Sequence, residues 1–290
     1  MKNSNLNLSK LRTRNINYRK YFIKNTKLSI SEITRLSYDL QSGDYIKNYK
    51  ILKRNKKNYK IFQKNMKELN ERINLKKIKT ILDFGTGEGT KLPYILKFNK
   101  NVKNIYACDI SFNRLCYAND FIKKNLTKKE ISKLSIFCNK DFELPFKSNS
   151  IDIVVTNGVF ENLSNKNMNK LLLELFRVTQ KRLILTEPVK SNSSRLKQLQ
   201  LNFNLNYYLK KNKINFKEYM WHRINKNKTK YSMRVIDKKT IYHNDSKFYL
   251  KDKKISFHKK GKFFYDKTGK IIPIIGDITI FRPLEDINYF

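Results

Sequence analysis

Ile81-Leu82-Asp83-Phe84-Gly85-Thr86-Gly87-Glu88-Gly89-Thr90 is an apolar run that ends in an acidic residue and a turn with glycine at every second position. Residues 78–84 (IKTILDF) read as a buried strand, and the glycine turn leads into a helix around 91–98. Glycines there let the backbone turn sharply and approach a ligand that side chains would block. Asp109 follows Gly89 by twenty residues, at the end of a second strand (IYACD). An acidic side chain at that place can accept both hydroxyls of a ribose.

Two ligands compete for such a turn: a dinucleotide and S-adenosylmethionine (SAM). The dinucleotide fingerprint is G-x-G-x-x-G, with a helix N-terminus aimed at a pyrophosphate. Here the third glycine comes two positions after the second and an Asp precedes the turn. SAM has no pyrophosphate, so the loop need only pass beneath an amino acid and a ribose.

Further along, the pattern becomes regular. Strands at 104–109, 135–138, 151–156 and 182–186 alternate with helices at 114–124 and 167–179, as in a doubly wound parallel sheet. ILDFGTGEG, YACDIS, NKDFELPFKSNSIDIVVTNGVFENL and LLLELFRVTQKRLILTEP stand in that order. In order and spacing they resemble the class I SAM-dependent methyltransferases, especially the broad small-molecule and quinone methyltransferase-like group.

The resemblance implies an α/β, Rossmann-like fold, an enzyme and the cofactor SAM. It also implies roles. The backbone at Gly85, Thr86, Gly87 and Gly89 lines the methionine part of SAM, and Asp83 orients its amino group. Asp109 binds the ribose, Ile110 packs on the adenine, and Asp141 with Phe142 meets the adenine edge. Asn157, Gly158 and Glu161 form the loop between cofactor and acceptor. Glu161 is the candidate base, although Glu161 or Asn162 could instead cap the next helix. Asp152 reads as a structural polar residue, and 144–146 (LPF) as packing.

Outside this core the chain is strongly basic. Its formal net charge is +39. Residues 79–190 hold 19 basic and 11 acidic side chains, so most of the excess lies in the flanks. Such charge points to nucleic acid or an anionic surface. Abundant Lys, Asn and Ile with scarce Gly and Pro is equally the usage of an AT-rich genome. Residues 1–30 read as a mobile or loosely docked arm. A helix capped by Ser31 and a second helical stretch over 45–74 follow. After 188 the expectation is a helix over 193–211, strands at 216–222 and 231–236 that complete the sheet, and short strands at 247–250, 254–258, 262–265 and 278–281. The last segment also resembles the β module of small zinc-ribbon activators of methyltransferases, without zinc-ligating cysteines.

Three domains are expected: 1–75, basic and partly helical; 76–240, SAM-binding; and 241–290, a small β appendage. Cys108, Cys116 and Cys138 have no C-x-x-C spacing, so no metal site is expected and the thiols read as reduced. His222, His243 and His258 read as surface or packing residues. No stretch reads as a signal or a membrane span, so the expected location is cytoplasmic. The expected acceptor is a small molecule or glycan-related metabolite. RNA methylation through the basic flanks, or a non-catalytic binding module, are the alternatives.

Overall fold

A computed structural model describes residues 8–12, 16–139, 142–189, 204–221, 231–238, 249–250, 255–256, 258–260, 263–265 and 271–282. Helices α1 (Leu8–Arg12), α2 (Tyr18–Asn25), α3 (Ile30–Leu40), α4 (Asp44–Arg54) and α5 (Lys56–Ile73) precede the first strand. Then come β1 (Thr80–Phe84), α6 (Leu92–Phe98), β2 (Asn104–Asp109), α7 (Phe112–Asn125), α8 (Lys128–Ile131), β3 (Leu134–Cys138) and β4 (Ile151–Asn157). They are followed by α9 (Asn165–Val178), β5 (Thr179–Pro188), α10 (Leu205–Lys211), β6 (Lys217–Trp221) and β7 (Tyr231–Asp237). Short strands complete the described chain: β8 (Tyr249–Leu250), β9 (Ile255–Ser256), β10 (His258–Lys260), β11 (Phe263–Tyr265), β12 (Ile271–Ile275) and β13 (Ile278–Ile280).

The main sheet runs β10-β11-β12-β13-β3-β2-β1-β4-β5-β7-β6. β1 lies between β2 and β4, parallel to both, with Asp83 level with Ala107 and Val155. Every residue of β1 is buried, as expected of a central parallel strand covered on both faces. Alternate side chains serve opposite layers. Ile81, Ile105, Ile153 and Ile184 pack with Met66, Ile73, Ile95 and Leu115 from α5, α6 and α7. Leu82, Tyr106, Val154 and Leu183 pack with Leu171, Leu175, Leu205 and Leu209 from α9 and α10. β7 runs antiparallel between β5 and β6, so the two expected strands do complete the sheet.

Several expectations need correction. The part of residues 1–30 described here is packed, not loose: Leu11, Tyr18 and Phe22 form a core with Ile33, Leu36 and Leu40. Ser29, not Ser31, caps α3, because Glu32 lies three residues on and closes a reciprocal capping box. The 45–74 stretch is two helices. Asn55 leaves helical geometry (φ −92°, ψ 96°) and its side chain accepts from the Asn58 N–H, ending α4 and starting α5. Of the helix expected over 193–211, only α10 falls within the described residues. At the other end of the chain, β13 pairs in parallel with β3, Ile278 level with Ile136, so the last strands continue the main sheet.

Asp152 behaves as the structural residue anticipated. Its carboxylate accepts from the N–H groups of Lys79 and Thr80 and pairs with Lys181 at 2.7 Å, joining the entrances of β1 and β4. Leu144 and Phe146 are core residues. Cys108 and Cys138 are buried free thiols and Cys116 a half-buried one.

Candidate active site

The glycine turn leaves the C-terminal end of β1, where parallel strands open onto a crevice. Gly85 has φ +71°, and a Cβ there would sit 2.4 Å from Val159 Cγ2. The N–H groups of Gly85 and Thr86 both donate to the Cys108 carbonyl at 2.9 Å, tying the turn to the end of β2. Gly87, at φ +59°, donates its N–H to Asp109 Oδ2 at 2.9 Å. Asp109 Oδ1 accepts from the Ser111 N–H at 2.9 Å. Burial raises the Asp109 carboxyl, opposed by the Arg114 guanidinium and by these two N–H donors.

Asp83 is buried beneath the turn. Its two oxygens accept from Lys91 Nζ at 2.9 Å and Thr86 Oγ1 at 2.8 Å. Ile110 follows Asp109 and is half-buried. Its carbonyl accepts from Arg282 at 2.8 Å, from the segment after β13. Phe142 is buried in the apolar layer with Phe137 and Phe146. Asp141 lies outside the described residues, as do His222 and His243. Asn157 ends β4, half-buried, and Gly158 donates its N–H to the Thr186 carbonyl at 2.9 Å.

The N-terminal helices close over this turn, through residues that sequence reading missed. Glu88 sends one carboxylate oxygen to the Gly43 N–H (2.9 Å) and the other to the Ile46 N–H (2.7 Å), holding the first turn of α4. Asp39 of α3 accepts from Ser111 Oγ at 2.6 Å and pairs with Arg35 at 3.3 Å. Burial pushes Asp39 up to about 6, although Ser111 and nearby guanidinium groups pull the other way. The Arg114 guanidinium lies 3.9 Å from the Tyr38 ring centre and 4.2 Å from that of Tyr45. Arg19 of α2 lies 4.9 Å from Tyr38 and donates to Asn162 Oδ1 at 3.1 Å. Apart from the Arg35–Asp39 pair within α3, these contacts join segments apart in sequence and form no local motif, so no spacing announces them.

On the other side, the loop after β4 is pinned by Glu187 of β5. Its carboxylate accepts from the N–H groups of Val159 (3.0 Å) and Phe160 (3.1 Å) and from Thr156 Oγ1 (3.3 Å). Burial first, and the Glu161 charge second, push Glu187 up to about 8 against those donors. Glu161 is buried and accepts from the Tyr231 hydroxyl at 3.1 Å. Neither Glu161 nor Asn162 caps the next helix: Ser164 does, accepting from the Asn167 N–H.

The site therefore joins a glycine turn, a fixed acidic residue at the end of β2 and a buried carboxylate on the loop after β4. Residues 82–185 match the family described as a methyltransferase domain. The chain carries a methyltransferase domain. Solved structures share the fold. Magnesium protoporphyrin IX methyltransferase (ChlM) from Synechocystis PCC 6803, with bound SAH, is 14% identical with a TM-score of 0.54, over 73% of this chain and 100% of that one. The methyltransferase domain of bacterial CtHen1-C is 18% identical with a TM-score of 0.50, over 61% and 98%. The cyclase SpnF is 15% identical with a TM-score of 0.50, over 60% and 80%. One fold thus serves different reactions, and the site has to carry the argument for this one. No curated protein matches the chain. The class I fold and the methyltransferase class read from the motifs both stand.

Proposed function

We propose that this methyltransferase uses SAM held across the turn at 85–89 and passes its methyl group to a small-molecule or glycan-related acceptor. One observation carries the cofactor reading: Asp109, buried at the end of β2, has each oxygen fixed by one backbone N–H, from Gly87 and from Ser111. A carboxylate oxygen has further lone-pair capacity, so this fixed group can still accept from two ribose hydroxyls. The turn itself needs glycine at this point, since a Cβ at Gly85 would meet Val159 Cγ2 at 2.4 Å.

In this reading Gly85, Thr86, Gly87 and Gly89 line the methionine portion, and Asp83 faces its amino group while sharing its charge with Lys91. Ile110, Asp141 and Phe142 surround the adenine, and Asn157 lines the junction with the acceptor. The cofactor supplies an electrophilic methyl on a sulfonium. The protein supplies alignment, which accounts for a large part of the rate in an in-line displacement. In this reading Glu161 takes the acceptor's proton, and the bond from the Tyr231 hydroxyl supports the role by orienting its carboxylate. Residues 76–240 are the proposed SAM-binding domain, after the basic segment 1–75 and before the appendage 241–290, whose strands β10–β13 extend its sheet, in a protein proposed to work in the cytoplasm.

RNA as the acceptor is a second reading, supported by the lysine face described below. The test of the cofactor reading is calorimetric titration with S-adenosylhomocysteine. Micromolar binding by the intact chain, lost in Asp109→Ala, supports it; no binding by the intact chain removes it and favours a non-catalytic binding module.

A further inference from the structure

Residues 45–67 contain nine Lys and Arg and no Asp or Glu. They cover most of α4 and two-thirds of α5, and all nine cations are exposed. On α5, Lys56, Lys60, Lys64 and Lys67 stand at i, i+4, i+8 and i+11, which places them within an arc of about 80° along about 16 Å of helix. The opposite side of α5 buries Phe62, Met66, Leu69 and Ile73 in the core. The lysines therefore form a stripe held outward by the packing of the helix itself.

Among the described residues this stripe is nearly unanswered. Lys67 pairs with Glu71 at 4.0 Å, both groups well exposed. Among the described residues, Lys56, Lys57, Lys60 and Lys64 make no ion pair. Like charges at i, i+4 destabilise a helix by about 0.2–0.5 kcal/mol per pair, so the free protein carries a small repulsion that a row of anions relieves. On α4, Lys47, Lys50 and Arg54 extend the basic surface back towards the Glu88-held first turn. Tyr45, in that turn, lies 3.4 Å from where a Cβ on Gly87 would be. The basic surface thus begins beside the candidate cofactor turn.

We propose that the outward face of α4 and α5 binds the phosphate backbone of a nucleic acid. A lipid surface fits less well: a helix that lies in a bilayer interface inserts its apolar side, and here that side is buried in the core. Ile51 is the one large apolar side chain well exposed on the described face. The binding requires no methyl transfer, so it is separable from the cofactor reading.

The test is anisotropy with labelled single-stranded RNA and DNA of equal length, using the full chain, K56E/K60E/K64E and a control K97E/K100E/K103E. SAH titration of each protein reports the cofactor site independently. With about four phosphates engaged, affinity should fall about 50- to 150-fold between 50 and 200 mM salt. The α5 variant should bind at least tenfold more weakly, with a log–log salt slope shallower by about 2 to 3. The control variant should lose less than threefold. RNA and DNA arms that respond alike point to phosphate readout, and a preference for one names the partner. Equal loss in both variants, an unchanged α5 variant, or binding to anionic vesicles but not to nucleic acid would overturn the proposal.

Discussion

Asp83 and Lys91 form an ion pair 2.9 Å long beneath the glycine turn, with the carboxylate fully buried and the ammonium nearly so. Removing one partner of such a pair strands the other charge away from water, at a cost of about 3–5 kcal/mol. Lys91→Met should therefore lower unfolding stability by about that amount in a urea titration. The double variant Asp83→Asn/Lys91→Met should recover most of the loss. If the two single effects simply add, the groups are not coupled as the geometry requires.

Gly85 cannot be alanine without strain from two separate sources. Its φ of +71° costs an L-residue about 1–2 kcal/mol, and the new Cβ meets Val159 Cγ2 at 2.4 Å. Gly85→Ala should lower stability by about 2–5 kcal/mol, since overpacking adds about 1–3. Adding Val159→Ala should remove the clash and leave the backbone term. Thermal denaturation of the three variants separates the contributions, and no rescue by the second change would show that Val159 is not the obstacle.

Glu88 ties the N-terminal helices to the turn, so Glu88→Ala should loosen both. With the N–H groups of Gly43 and Ile46 left unanswered, amide exchange in residues 43–47 should accelerate. SAH affinity should fall about tenfold, close to 1.4 kcal/mol. Unchanged exchange and affinity would mean that α4 is held by packing alone.

Stability should fall as pH rises from about 5 to 8. Glu187 is pushed up to about 8 and Asp39 to about 6, above the values of free carboxyls. In that window the folded chain holds protons that the unfolded chain has released, so deprotonation favours unfolding. The two contributions differ in range: Asp39 acts below about 6, and Glu187 up to about 8. Glu187→Gln should flatten the upper part of the dependence in urea titrations at successive pH values. A variant with the same slope as the parent would place the titration elsewhere.

The central sheet was legible because its signals are local. A run such as ILDF has to be buried on both faces, the glycines at 85, 87 and 89 announce a turn no other residue enters freely, and Asp109 ends the next strand within the same βαβ unit. The strands at 217–221 and 231–237 were legible from aromatic and β-branched content; the second pairs with β5 and the first with the second. Caps were read less well. Ser29 and Ser164 won over nearby candidates because each stands where the helix starts and bonds the N–H three residues on, a difference of two or three positions that composition does not reveal.

By itself, then, the amino-acid order determined the strand–turn–helix succession and the residues of the glycine turn, through backbone preference and hydrophobic period. Only the tertiary structure decided what surrounds that turn. Glu88 meets Ile46, Ser111 meets Asp39, Arg114 lies between Tyr38 and Tyr45, and Glu161 meets Tyr231. Each of these links joins segments distant in sequence. They exist because burying the apolar sides of α3, α4 and β7 leaves a few polar groups facing one another in a dry interior, where each has to find a partner.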